Sequence, residues 1–209
     1  MHKSSLTRLA LAAGFSATLA LTGAAGAAFA QSSDPAAARI DSFDSAVIKT
    51  LQAGKAAGAT GRAKVIGPAV EQTFDLGYMT RVAVGPDWTK MSAEDQAALQ
   101  KAYARFAVAN WAKNFDNYSG QKLALDGDVQ TRGADKLVKT KLTGGGSNAS
   151  LAYRMRDTGS GWKVIDVVYN GGISQLTTQR SDFASTLSSG GAKALIAKLD
   201  AQTDKLLKG

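Results

Sequence analysis

The sequence contains no cysteine, and its only histidine is His2. The missing thiols exclude disulfide bridges, thiolate metal sites and cysteine nucleophiles. If His2 is removed with the leader described below, the rest of the chain also lacks the group that a Ser-His triad, a histidine metal site or an imidazole base requires. The chemistry that stays open depends on carboxylate, lysine or tyrosine side chains.

The N-terminal apolar stretch is shorter than a membrane-spanning helix. It covers residues 9–21, whereas a spanning helix needs about 20 residues. A short basic segment, residues 1–8, precedes it, and the small-x-small sequence Ala28-Phe29-Ala30 follows. This pattern predicts a secretory signal over residues 1–30, cleaved near Ala30, and one domain over residues 31–209 outside the cytoplasm.

Basic residues outnumber acidic ones but form no run in the sequence. Removing the signal takes away Lys3 and Arg8, which leaves 23 of the 25 basic residues against 17 acidic ones, a formal charge of +6. Scattered single lysines and arginines without a nucleic-acid-binding motif argue against a DNA or RNA partner. Anionic lipid headgroups, an acidic partner protein and an ordinary solvated surface stay open.

Apolar residues at helical spacing predict helices in the first half of the domain. Ile40, Phe43, Val47 and Leu51 follow a three-to-four-residue period. We expect helices at residues 39–57 and 62–75, a short helix after Gly77, and an aromatic-rich helix from a cap at Ser92 to Ser119-Gly120.

The period then changes to two, which predicts strands at residues 122–130, 136–142, 149–157 and 162–169. Their short connections favour antiparallel pairing, and residues 144–147 are predicted to form a hairpin turn rather than a phosphate-binding loop. Two further helices are predicted at residues 173–187 and 192–207. Helices before and after an antiparallel four-stranded meander indicate an α+β fold.

Several short motifs occur in an order that resembles one known family. They are Phe74-Asp75, Gly85 with Trp88, residues 161–168, residues 172–176, Arg180-Ser181-Asp182-Phe183 and residues 191–199. With the order of elements, they make residues 36–207 similar to the periplasmic lipid-shuttle proteins of the MlaC, or toluene-tolerance, type. Residues 172–176 look closer to relatives associated with hopanoid synthesis, which keeps a hopanoid-like cargo open.

The resemblance implies an NTF2-like curved sheet whose flanking helices enclose an apolar pocket. It implies a soluble periplasmic protein, without enzymatic activity or cofactor, that carries phospholipid or another membrane lipid. The partners implied are an outer-membrane lipoprotein complex and an inner-membrane ABC transporter complex with a membrane-anchored substrate-binding subunit. We expect the carrier to act as a monomer.

Apolar and aromatic residues of the strands and flanking helices are the candidates for lipid binding. They are Phe74, Tyr78, Met79, Trp111, Phe115, Val138, Leu142, Leu151, Tyr153, Val167, Tyr169, Ile173 and Leu176. Each could also be ordinary core. Candidates for contact with headgroup phosphates or acidic partners are Arg81, Lys90, Arg154 and Arg180.

Two other functions stay open. A non-carrying envelope adaptor on the same scaffold would have a filled core. A carboxylate hydrolase on an NTF2-like scaffold would have an enclosed pair of acids. The acidic pairs in the sequence, Glu94 with Asp95 and Asp126 with Asp128, are in contexts typical of a helix start and a turn.

Overall fold

The computed structural model describes residues 34–172 and 174–208, so the predicted signal and Ile173 lie outside the described residues. Within this part of the chain, the helices are α1 Pro35–Ala53, α2 Gly58–Thr73, α3 Leu76–Val84, α4 Ala93–Asn114 and α5 Gln175–Lys208, with 3₁₀ helices Lys55–Ala57 and Gly85–Lys90. The strands are β1 Lys122–Leu125, β2 Gln130–Arg132, β3 Asp135–Gly144, β4 Ser147–Asp157 and β5 Trp162–Tyr169.

Capping side chains set the starts of three helices. The Asp34 carboxylate accepts a hydrogen bond from the Ala36 N–H at 2.8 Å, and Pro35 occupies the first helical position. Both features favour a helix start, so α1 begins earlier than its apolar period predicts. Asp75 caps α3, and Ser92 caps α4 as predicted.

α4 ends at Asn114, short of the predicted end at Ser119-Gly120. The buried side chain of Gln121 holds the following loop: its Oε1 accepts from the Ser119 N–H at 2.6 Å, and its Nε2 donates to the Asn117 carbonyl at 3.2 Å. These bonds hold the loop in a non-helical conformation. The aromatic spacing that predicts the helix therefore continues beyond the end of the helix itself.

All five strands pair in antiparallel fashion, in the order β1-β3-β4-β5, and β2 also pairs with β3. The predicted α+β fold is confirmed, but the predicted strand at residues 122–130 is two strands. Between them Gly127 takes a φ of 81°, and the Asp126 N–H bonds to the Lys139 carbonyl at 2.8 Å. The chain therefore leaves the β3 ladder at this point and rejoins it at β2.

The β3–β4 turn is a hairpin, as predicted, and it contacts the loop after α4. Gly145 and Gly146 connect the paired ends of the strands, and both take positive φ, at 57° and 79°. Such a two-residue turn matches the twist of the strands. A Cβ on Gly145 would lie 2.7 Å from the Ser119 carbonyl oxygen, so the close approach itself requires glycine.

α5 is divided at Gly191, whose φ of 64° and ψ of −160° interrupt the helical backbone. The two segments correspond closely to the two helices predicted for this region. The first segment packs on α4, where the rings of Tyr103 and Phe183 meet edge to face at 6.3 Å. Within the described residues, no helix is both long and apolar enough to cross a bilayer.

Helices cover one face of the sheet, where alternate side chains of β3, β4 and β5 are buried. Phe43 of α1 is at the centre of the aromatic packing on this face. Its ring lies 5.1 Å from Phe74, 4.8 Å from Trp111 and 6.2 Å from Tyr153, each in an edge-to-face arrangement. This cluster fixes α1, α4 and the end of α2 over the inner face.

Candidate functional site

A cavity of about 700 Å³ lies between the inner face of the sheet, α4 and the first half of α5, and Leu76 and Met79 of α3 contribute to it. Its volume falls within the range of about 300–1,000 Å³ that is common for pockets holding small organic ligands. The cavity follows from the fold, because α4 and α5 do not pack against the sheet along their full length.

The interior of the cavity is apolar. Its buried lining residues are Phe74, Met79, Tyr103, Phe115, Leu142, Ala149, Leu151 and Val167. Half-buried Phe106, Ala107 and Trp111 extend this surface along α4. The Trp111 and Phe115 rings stack at 5.2 Å with an interplanar angle of 15°. Apart from the Tyr103 hydroxyl, the buried side chains offer no hydrogen-bonding group.

The Tyr103 hydroxyl is satisfied within the protein. It donates a hydrogen bond of 2.6 Å to Oε1 of Gln179 on α5. Burial raises the pKa of Tyr103 well above its ordinary value, and the Gln179 bond only partly opposes this effect. The phenol therefore stays neutral and joins α4 to α5 across the cavity.

The mouth of the cavity is polar. The exposed lining residues are Asn114, Asn148, Tyr169, Gln175, Thr178 and Asp182. Tyr169 is 48% exposed although it extends the same strand face as the buried Val167. The cavity thus changes from hydrocarbon inside to amide, hydroxyl and carboxylate groups at its opening.

Helical spacing explains which α4 and α5 residues line the cavity. On α4, Tyr103, Ala107, Asn110 and Asn114 follow one another at three- or four-residue steps. On α5, Gln175, Gln179 and Asp182 do the same, and Thr178 lies three residues after Gln175 and four before Asp182. Residues at these steps share one face of a helix, so each helix presents a continuous stripe to the cavity.

Eight of the thirteen residues predicted for lipid binding line this cavity. They are Phe74, Met79, Trp111, Phe115, Leu142, Leu151, Val167 and Tyr169. The structure thus brings together candidates from the helix side and from three strands.

Four of the other candidates lie elsewhere, and Ile173 lies outside the described residues. Val138 and Tyr153 are on the same sheet face but are buried in the core, at 1% and 0% exposure. Tyr78 and Leu176 line a separate cleft of about 170 Å³. Alternation along a strand identifies the inner face, but it does not show where a helix covers that face and where the cavity opens.

Tyr153 belongs to a polar cluster inside the core. The carboxylate of Asp44, the hydroxyl of Thr140 and the Tyr153 hydroxyl are buried, and none has a hydrogen bond of normal geometry. Burial raises the pKa of Asp44 to about 8, with a smaller increase from the Asp41 carboxylate, while the Tyr153 hydroxyl acts in the opposite direction. Asp44 is therefore mostly a neutral acid at pH 7.

Two arginines contact the ring of Tyr78, which lines the smaller cleft. The guanidinium groups of Arg81 and Arg156 lie 5.5 Å and 5.4 Å from the centre of the Tyr78 ring. Arg156 and Arg154 hold the buried Asp135 through hydrogen bonds of 2.7 Å and 2.6 Å. The bond from Arg156 is the main reason that the pKa of Asp135 is lowered.

The predicted headgroup cations do not line the cavity of about 700 Å³. Arg154 and Arg180 line the smaller cleft. Lys90 is exposed and pairs with Asp87 at 2.8 Å, and Arg81 is exposed beside Tyr78.

The polar residues of the cavity could not be predicted from the sequence. Asn110, Asn114, Gln175, Gln179 and Asp182 show a helical period, but a polar stripe is also what the solvated face of a helix looks like. The sequence offers no signal that separates a cavity-lining polar stripe from an ordinary solvated one, because residues at the opening of the cavity are also exposed to solvent.

A family model described as "MlaC protein" matches residues 41–201 of the chain. Among curated proteins, no sequence gives a significant match.

A solved structure with a similar fold is described as the phospholipid-binding protein from Ralstonia solanacearum in complex with a phospholipid. The superposition has a TM-score of 0.72 and covers 83% of this chain and 99% of that chain, at 21% sequence identity. The likeness confirms the predicted fold class.

Proposed function

Because the chain belongs to the MlaC family, as its motifs predict, we propose that it is a periplasmic carrier that holds one phospholipid in the amphipathic cavity. The Ralstonia solanacearum protein, which has the same fold, is described with a phospholipid. The proposal places acyl chains against the buried lining and the headgroup at the mouth.

One observation carries this proposal: the polarity of the cavity lining follows its depth. Apart from the Tyr103 hydroxyl, which is bonded to Gln179, the buried lining residues are apolar, and the six exposed ones all carry a polar group. An acyl chain in water costs about 0.8 kcal/mol per methylene, and an apolar interior removes that cost. A headgroup at the polar opening would keep its hydration. The gradient therefore matches an amphiphile rather than a wholly apolar or wholly polar ligand.

We further propose that the carrier moves lipid between an outer-membrane lipoprotein complex and an inner-membrane ABC transporter complex. The support is the family membership together with the secretory signal predicted over residues 1–30. Because a bilayer shelters acyl chains as well as the cavity does, transfer is nearly balanced and its direction comes from the partner complexes. Such a carrier needs no catalytic residue.

The alternative functions fit the cavity less well. An adaptor predicts a filled core, whereas about 700 Å³ is open between the sheet and two helices. A carboxylate hydrolase predicts an enclosed acid pair, but Asp182 is the single carboxylate among the described residues that line the cavity, and it is exposed.

A bulky residue inside the cavity tests the carrier proposal. Ala107 and Ala104 are both half-buried on α4, but only Ala107 lines the cavity. We expect Ala107→Trp to fill part of the cavity and to lower lipid uptake several-fold, while Ala104→Trp keeps uptake near wild type. Lipid-free protein is incubated with phospholipid vesicles, separated by centrifugation and analysed by mass spectrometry for extracted lipid.

Thermal unfolding of both variants provides the control for folding. If both fold and the Ala107→Trp variant takes up as much lipid as wild type, lipid does not occupy this cavity and the proposal is wrong.

A further inference from the structure

The mouth of the cavity carries hydrogen-bond donors and one carboxylate but no cationic side chain. Among the described residues that line the cavity, none is lysine or arginine. The amides of Asn114, Asn148 and Gln175 are exposed at the opening, and Asp182 lies one turn of α5 beyond Thr178. A protein that recognises an anion by charge normally supplies arginine or lysine, so this opening is built for different chemistry.

The amides at the mouth are available to a ligand. No hydrogen bond within the described residues uses the side chains of Asn114, Asn148 or Gln175. Gln179, which also lines the cavity, uses Oε1 to accept from Tyr103, and its Nε2 group is left as a donor. Such N–H groups can donate to phosphate oxygens without contributing charge.

Lys198 and Arg180 of α5 have their contacts away from the Asp182 carboxylate. Lys198 donates to the Asp182 main-chain carbonyl at 3.2 Å and to the Thr186 hydroxyl at 3.1 Å. The Arg180 guanidinium lies near Gly85 and lines the smaller cleft. Neither cation forms an ion pair with the Asp182 carboxylate, which therefore stays free to accept from a ligand.

We propose that the mouth selects a zwitterionic phospholipid with a protonated amine, whose phosphate accepts from the amides while its ammonium meets Asp182. This inference rests on the proposed function. An anionic phospholipid would bring a net negative charge beside Asp182 without a cation among the described lining residues to receive it, whereas a zwitterionic headgroup carries its own ammonium.

Competition between two lipids in the same vesicle tests the inference. Lipid-free protein is incubated with vesicles containing equal amounts of phosphatidylethanolamine and phosphatidylglycerol with identical acyl chains, and the bound lipids are quantified by mass spectrometry. Because Asp182 is exposed, we expect a preference of about threefold for phosphatidylethanolamine, the size of effect that an exposed ion pair supports. We expect Asp182→Asn to bring the ratio close to one and Asp182→Lys to reverse it.

Asp204→Asn is the matched control, because Asp204 is an exposed acid on the same helix and does not line the cavity. It should leave the ratio unchanged. Equal uptake of the two lipids by wild type, or an unchanged ratio in Asp182→Asn, would overturn the selectivity while leaving the carrier proposal intact. Uptake of neither lipid would overturn the carrier proposal and this inference with it.

Discussion

At the scale of single residues, two buried carboxyl groups affect the stability of the fold in opposite ways. Asp135 is buried with two guanidinium partners, and their hydrogen bonds lower its pKa. Asp44 is buried without a cation or a hydrogen bond of normal geometry, and burial raises its pKa. A buried carboxyl without compensation favours its neutral form, so the two acids respond to pH in opposite ways.

Stability should fall with rising pH because of Asp44. Its pKa is about 8 in the folded protein, whereas 3.8 is the ordinary value expected after unfolding. The folded state therefore binds more protons between these values, and the stability present below pH 4 is lost as the pH rises towards 8. The slope from one such group is at most about 1.4 kcal/mol per pH unit.

Asp44→Asn should flatten this dependence and raise the unfolding free energy at pH 8 relative to wild type. Urea unfolding at pH 5, 6, 7 and 8 measures the effect as the difference between the variant and wild type. Asp204→Asn, at an exposed position, serves as the control. Parallel pH profiles for wild type and Asp44→Asn would show that Asp44 is already ionised in the fold.

At the scale of elements, the contact between the β3–β4 turn and the loop after α4 shapes one side of the mouth. Ser147 and Asn148 follow the turn and line the cavity, while Asn114 and Phe115 line it from the end of α4. Gly145 lies between these segments, close to Ser119. Its lack of a side chain lets the two segments meet.

Two alanine substitutions in this turn separate backbone strain from steric contact. Gly146→Ala meets open space, so we expect only the cost of a left-handed residue, about 1–2 kcal/mol. Gly145→Ala has the same backbone cost, and its Cβ would also lie 2.7 Å from the Ser119 carbonyl oxygen. Overpacking of this kind adds about 1–3 kcal/mol. Equal losses in urea unfolding would contradict the close contact.

The sequence predicts elements well where one physical rule dominates. The period of Ile40, Phe43 and Val47 identifies α1, since a buried stripe on a helix needs that spacing. The interruption at Gly127 was missed, because the alternating pattern continues across it and only the pairing with β3 shows the break. The end of α4 was missed for a similar reason, since the side chain of Gln121 decides it.

In the candidate site, too, a sequence pattern indicates some features, and tertiary contacts decide the others. Its apolar interior could be predicted, since Trp111, Leu151 and Val167 are on faces that a period identifies. Its polar mouth could not, because Gln175 and Asp182 follow the pattern of a solvated helix face. The likeness of residues 172–176 to relatives associated with hopanoid synthesis, and with it a hopanoid-like cargo, stays a prediction.

At the scale of the whole molecule, the protein leaves open about 700 Å³ that a more closely packed fold would fill. Empty apolar volume destabilises a fold, so an unfilled cavity is expected to serve binding. The helices and sheet around it remain tied together by the Phe43 cluster and by the bond from Tyr103 to Gln179. We therefore expect the scaffold of the proposed carrier to keep its shape while the cavity exchanges its contents.

Native mass spectrometry of protein purified from the periplasm of phospholipid-containing cells tests the carrier proposal most directly. We expect a species heavier than the bare chain by the mass of one phospholipid, and organic extraction should release that lipid. Ala107→Trp should shift the population to bare protein, while Ala104→Trp should not. Wild-type protein that appears only at its bare mass, yields no lipid on extraction and acquires none from vesicles would contradict the proposal.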